Sequence, residues 1–202
     1  MHRLSADVRR EAFMRAAVKV IKRDGVAKAT TRNIAQEAEM PHATLHYCYR
    51  GKEELFFDIL DAGTVRIREL LSDIEPGAGL PKTTETLMTE IFEWFIDEPD
   101  FFGALFELII WAWHLPDDKK AARDVYDTWI GLSGDVLRRG LRENSEVDIT
   151  PLAQYVIGSL DGVYFQYVTY GDVNRARATY RLFIDSSMRL ATELENASSV
   201  AA

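Results

Sequence analysis

At 202 residues, 47% of them hydrophobic, the chain suits one large domain or a small one joined to a larger, and it is apolar enough to bury a packed interior rather than stay disordered. Its first residues, MHRLSADVRRE, are charged where a signal peptide is apolar, and the longest apolar run, Phe101 to Leu115, is interrupted by Glu107 and too short to span a bilayer; with the single cysteine, Cys48, precluding an internal disulfide, a cytoplasmic protein without a membrane partner is expected. The net charge of −8 divides unevenly, 11 Lys/Arg against 5 Asp/Glu in residues 1 to 52 and 13 against 27 in the remaining 150, so a cationic head suited to a polyanion sits on an acidic body; charges scattered over solvated helix faces are the alternative.

Taken in chain order, the hydrophobic pattern is helical nearly everywhere. Ala12, Phe13, Ala16, Ala17, Val20 and Ile21 repeat at helical spacing over about 6–23, and Asp24-Gly25 closes that helix. After a connector at 27–30, Thr31 can cap a second helix with Ile34, Ala35 and Ala38 facing inward, ended by Met40-Pro41. A third runs from His42 to Tyr49, Arg50-Gly51 breaks the pattern, and a long fourth runs from Lys52 to about Ile74, stopped by Pro76-Gly77-Ala78-Gly79. Further helices are expected at roughly 82–97, 100–114, 117–143, 151–170 and 173–196, punctuated by Pro99, Pro116, the polar stretch 144–150 and Gly171-Asp172. No segment alternates with period two. The fold class is therefore all-α, about nine helices, with a boundary near 51 between an N-terminal domain of residues 1–51 and a larger helical domain of residues 52–202.

Two helices of barely two turns, side by side, are marginal in isolation. A short helix held at a steep angle by a partner through small residues such as Ala35 and Ala38 is the helix-turn-helix device, whose length suits a major groove. Around the third helix, Leu45, Cys48 and Tyr49 fall on one side and His42, Ala43, His46, Tyr47 and Arg50 on the other. The first set packs and the second is presented. His42, His46 and Cys48 do not make a metal site, because Cys48 lies about 200° beyond His46 around the helix. Glycine-rich phosphate loops, HExxH and a nucleophile elbow are missing, and Gly131-Leu132-Ser133-Gly134 only imitates a fragment of the last, so neither a cofactor nor an enzyme is expected.

At these residues the sequence resembles the TetR family of bacterial one-component repressors. The matching strings are Thr30-Thr31-Arg32-Asn33-Ile34-Ala35, Ala38-Glu39-Met40-Pro41, Thr44-Leu45-His46-Tyr47-Cys48-Tyr49 and Lys52-Glu53-Glu54-Leu55, across residues 11 to 55. Glu39 stands where the family carries a turn glycine, Pro41 where it carries serine or a similar residue, and His46 where it carries tyrosine. The resemblance implies that Thr31, Tyr47 and Lys52 hold phosphates of a double-stranded DNA operator, with His46 taking the tyrosine's contact. Base edges would be read by Arg32, His42, Ala43 and Thr44.

Residues 92 to 129 hold ten of the 22 aromatics and all four tryptophans. Plain core packing is the simpler reading, but the resembled family has a ligand cavity in this region, and such cavities combine apolar walls with a few polar anchors. On that basis Trp94, Phe106, Glu107, Trp111, Trp113, His114 and Trp129 are expected to surround a small-molecule effector, with Asp161 and Phe165 approaching from the eighth helix. The last two helices suit a homodimer interface, through Gly158, Gly162 and the stripe Tyr180, Phe183, Ile184, Met188 and Leu194; covering the chain's own core is the alternative. The expected function is a ligand-responsive, homodimeric transcriptional regulator, a repressor released from its operator by an apolar or aromatic effector. A DNA-architectural protein without an effector and a helical enzyme are the rivals.

Overall fold

The protein is described here from a computed structural model covering residues 5–116, 120–141 and 147–200, with side chains to 197. The described residues form α1 (Ala6–Asp24), a 3-10 turn (Val26–Lys28), α2 (Thr31–Glu37), α3 (His42–Cys48), α4 (Lys52–Ser72), α5 (Leu80–Asp97), α6 (Pro99–Trp113), α7 (Lys120–Gly140), α8 (Thr150–Tyr170) and α9 (Val173–Val200), with no strand among them. The expected ends of the seventh helix, at 117–119 and 142–143, lie outside the described residues. No described helix is long and apolar enough to cross a membrane. Packing divides the chain into two compact units, one of residues 1–65 and 98–125, the other of 66–97 and 126–202. The expected division at 51/52 follows the DNA-reading segment; packing instead places α6 and the first part of α4 with the head.

In the first unit α1 starts where the Ser5 hydroxyl accepts from the Val8 N–H and ends at Gly25, whose φ of 82° an L side chain would resist. Phe13, Ala17, Val20 and Ile21 are fully buried on its inner face. One correction concerns α2, whose cap is Thr30 rather than Thr31. Thr30 is the residue in extended backbone, and its hydroxyl accepts from the Asn33 N–H, which leaves Thr31 as the first helical residue.

Between α2 and α3 the chain reverses through a Schellman arrangement, in which the Met40 N–H donates to the Ala35 carbonyl across Glu39. Glu39 is held at φ 53°, the one non-glycine residue of positive φ among those described, so the family's turn glycine answers to a conformation this chain retains with a worse-suited residue. In α4, Leu55, Phe56, Ile59 and Leu60 are buried, and a Cβ on Gly63 would stand 2.8 Å from the Leu105 side chain of α6, so this close approach requires glycine.

In the second unit α9 lies along α5. Tyr180 stacks on Phe92 with ring centroids 4.0 Å apart and shares a hydrogen bond with Thr89 at 2.9 Å, while the Arg177 guanidinium donates to both oxygens of Glu93. The stripe expected at a dimer interface is thus turned, at Tyr180 and Ile184, into the chain's own core.

Replacing Glu39 by glycine removes the left-handed strain but raises the entropy of the unfolded chain. The variant is expected to gain about 0.5–1 kcal/mol, read as a higher urea midpoint at unchanged slope. An unchanged or lowered midpoint would mean that the turn is not strained.

Candidate DNA interface and effector residues

The outward face of α3 is what the sequence pattern predicts. Leu45 and Tyr49 are buried, only 0% and 1% exposed, whereas His42, Ala43, His46 and Arg50 are exposed and Tyr47 is 91% exposed. A tyrosine left so bare, on a helix pinned from behind, is available to a partner. At the far end of α3 the Arg10 guanidinium donates to the Cys48 carbonyl at 2.7 Å and to the Asp58 carboxylate of α4 at 2.7 and 3.2 Å, and lies 4.3 Å from the centre of the Tyr49 ring. One cation thus ties α1, the end of α3 and α4 together. Burial and the nearby Asp58 carboxylate push the Tyr49 hydroxyl's pKa up, so it stays a neutral donor, here to the Arg10 carbonyl.

Around this face, Arg32 is exposed on α2 and Thr44 is half-buried on α3. His42 Nε2 shares a hydrogen bond of 2.9 Å with Thr31 Oγ1, and the His42 and His46 rings meet edge to face at 4.5 Å. When the imidazole donates, the Thr31 O–H is left to donate elsewhere. Lys52 is the first residue of α4, with its ammonium 5.8 Å from the Phe56 ring centre. Glu54, two residues on, turns back to accept from the Arg50 N–H, a contact that lowers its pKa. Among the described residues no three His, Cys, Asp or Glu side chains gather as a metal site.

The residues expected around an effector divide between the two units. In the first, the Glu107 carboxylate accepts the Val26 N–H at 2.9 Å, joining α6 to the 3-10 turn that follows α1. Trp111 packs on Phe56 and Phe57, with centroids 5.1 and 5.6 Å away. Phe106 is buried, Trp113 is 49% exposed, and the exposed His114 shares a hydrogen bond with the Ile110 carbonyl. In the second unit Trp94 and Trp129 are buried and Phe165 is half-exposed. Asp161 accepts from the Tyr126 hydroxyl of α7 at 2.9 Å, and Tyr126 in turn meets Trp129 at 5.9 Å between centroids. Sequence reasoning missed Tyr126 and Arg10, because nothing local marks a tyrosine or an arginine whose partner lies on another helix. A groove of about 390 Å³ in this unit, lined by residues including Arg66, Glu69, Asp73, Thr86 and Glu90, contains none of the expected effector residues.

Known proteins resemble the chain in the same segments. A sequence model described as bacterial regulatory proteins, tetR family, matches residues 13–59. The HTH-type nicotine-responsive transcriptional repressor HdnoR of Paenarthrobacter nicotinovorans is 28% identical over 171 residues, covering 82% of this chain and 86% of its own. Among solved structures, a TetR transcription regulator from Haloarcula marismortui superposes with a TM-score of 0.70 at 22% identity, over 95% of this chain and 98% of its own. The SmeT–triclosan complex does so with a TM-score of 0.67 at 16% identity, over 91% of each.

Burial raises the Asp161 pKa to about 6, against the lowering effect of the Tyr126 hydrogen bond. The folded chain therefore holds this proton more tightly than the unfolded chain does. The ionised form costs stability above pH 6, and that cost fades as pH falls from 6 toward 4. Asp161→Asn keeps an acceptor for Tyr126 and removes the charge, so it is expected to stabilise the protein by about 1–2 kcal/mol at pH 7.5, allowing for partial solvent screening, with the gain gone near pH 4. Urea titrations at both values check this, and a loss of stability at pH 7.5 would contradict it.

Proposed function

The chain belongs to the tetR family of bacterial regulatory proteins, and from that premise we propose that it is a homodimeric repressor held on a double-stranded operator until a small molecule releases it. Regulators of this family are in general not enzymes, and no reaction is assigned to the chain. The observation that carries the proposal is the outward face of α3, exposed, free of acids and pinned from behind by Leu45, Tyr49 and Arg10. Seated in a major groove, that face would read base edges through His42, Ala43 and Thr44, with Arg32 from α2. Thr31, His46, Tyr47 and Lys52 would fix the register on phosphates. Residues 1–51 are thus the reading domain and 52–202 the effector and dimerisation domain, working in the cytoplasm where the DNA is.

A seven-residue helix reads too few bases alone, and two-fold pairing would give two half-sites on one duplex face. Exposed Tyr155 of α8 and exposed Leu182 and Leu190 of α9 are the apolar surface we assign to that pairing. A relative is nicotine-responsive and a structural neighbour is complexed with triclosan, which supports a small apolar or aromatic effector here as well. Release would pass through α6 and α4. Because Glu107 accepts from Val26 and Lys22 pairs with Asp100, a shift of α6 drags the connector between α1 and α2, and α4 carries the head out of register with the groove. A coupling of about 1–3 kcal/mol suffices for a 5- to 150-fold change in affinity.

Lys52→Ala should weaken DNA binding on every sequence alike and reduce the slope of log affinity against log salt by about 1, whereas Arg32→Ala should cost about 1–3 kcal/mol on the operator and relax base preference. Fluorescence anisotropy across a salt series on operator and scrambled duplexes separates the two. Unchanged slope in the first variant together with unchanged preference in the second would remove the proposed interface.

A further inference from the structure

The second unit contains a carboxylate with no cation beside it among the described residues. Asp161 is half-buried between α7 and α8, and among the described residues its carboxylate meets the neutral Tyr126 hydroxyl rather than a lysine, arginine or histidine. The Tyr126 ring in turn meets the buried Trp129, and Phe165 follows Asp161 one turn further along α8. A carboxylate there repels anions and gains less from a neutral hydrogen-bond donor than from a cation. An organic ammonium supplies the missing countercharge and is also attracted by the aromatic faces.

A second observation lies on the same side of α7. Tyr126, Trp129 and Ser133 follow at i, i+3 and i+7, so they line one face over about 10 Å. Ser133 is fully buried, and its Oγ has no hydrogen-bond partner. Other buried helical serines behave differently, since Ser159 and Ser187 each donate to the carbonyl four residues back. A buried hydroxyl without a partner calls for one from outside the chain. The helices run antiparallel here, Gly134 of α7 lying against Ala153 of α8, so both polar groups belong to a single α7–α8 layer.

We propose that the α7–α8 layer bearing Asp161, Tyr126, Trp129 and Ser133 binds an elongated aromatic amine, with the ammonium on Asp161, the ring over Trp129 and a hydrogen-bonding group at Ser133 Oγ. As the identity of the effector, this rests on the repressor reading above. As a binding site it stands on the residues named.

Calorimetric titration of the full chain with tyramine, its neutral counterpart tyrosol, and phenethylamine, which lacks the far hydroxyl, tests the site. Tyramine is expected to bind once per chain, at least about tenfold more tightly than tyrosol. Asp161→Asn should abolish that preference while leaving tyrosol unchanged, and Ser133→Ala should bring tyramine down to the level of phenethylamine. Tyrosol binding as well as tyramine, a preference that survives Asp161→Asn, or binding of neither at about 10 mM would overturn the proposal. Operator release, measured on the same proteins, separates the two readings. Release by neutral aromatics alone would sink the amine site and keep the repressor, whereas amine binding on a chain that no compound releases from DNA would sink the effector role and keep the site.

Discussion

A helix of seven residues cannot hold itself in water, and the protein's N-terminal architecture follows from that constraint. Its ends are fixed from outside: the Schellman turn at Glu39 sets where α3 begins, and the Arg10 guanidinium takes the Cys48 carbonyl where it ends. Between them Leu45 and Tyr49 are sunk in the head. Because the supports come from behind or from the ends, the opposite face is left open, and it is there that Tyr47 and the two histidines stand in solvent. Rigid support behind an uncommitted face is what a reading element needs, since a helix that had to order itself on DNA would lose affinity to that ordering.

The same logic gives α6 its place. It is apolar nearly all round, and it packs with the head rather than standing apart from it. Glu107, the acid inside that apolar run, reaches the Val26 N–H at the mouth of the α1–α2 connector, and Gly63 lets α4 approach Leu105 within van der Waals range. An acid in an aromatic segment suggests an effector anchor; in the fold Glu107 is half-buried and also fastens the segment to the connector. Asp161, the other acid expected at the effector, meets the hydroxyl of Tyr126 instead of a backbone N–H.

Most helix boundaries were legible because the signals are local. Gly25, Pro41, Gly51, Pro99 and Gly171 each act on the backbone within a residue or two, and observed ends fall close to them. The face of α3 was equally legible, since helical periodicity alone separates Leu45 from His46. What the sequence left open is which of two equivalent residues takes a role and which partner a residue meets across the fold. Thr30 and Thr31 are equivalent caps by composition, and only the extended backbone of Thr30 decides between them. Arg10, Gly63 and Tyr126 look like ordinary surface or helix residues until α4, α6 and α8 are brought to them. The stripe on α9 satisfied the period of an interface and of a core alike, and Thr89 and Phe92 of α5 turn Tyr180 to the latter.

The central claim is that α3 occupies the wide groove of a duplex at two positions. Dimethyl sulfate tests it directly, because it methylates guanine N7 in the major groove and adenine N3 in the minor groove. On a fragment selected by the full chain, the account predicts protection of guanine N7 in two clusters about one helical turn or a multiple of it apart, with adenine N3 between them left reactive. Protection confined to adenine N3, or no protection at either atom on a fragment that is demonstrably bound, would contradict it.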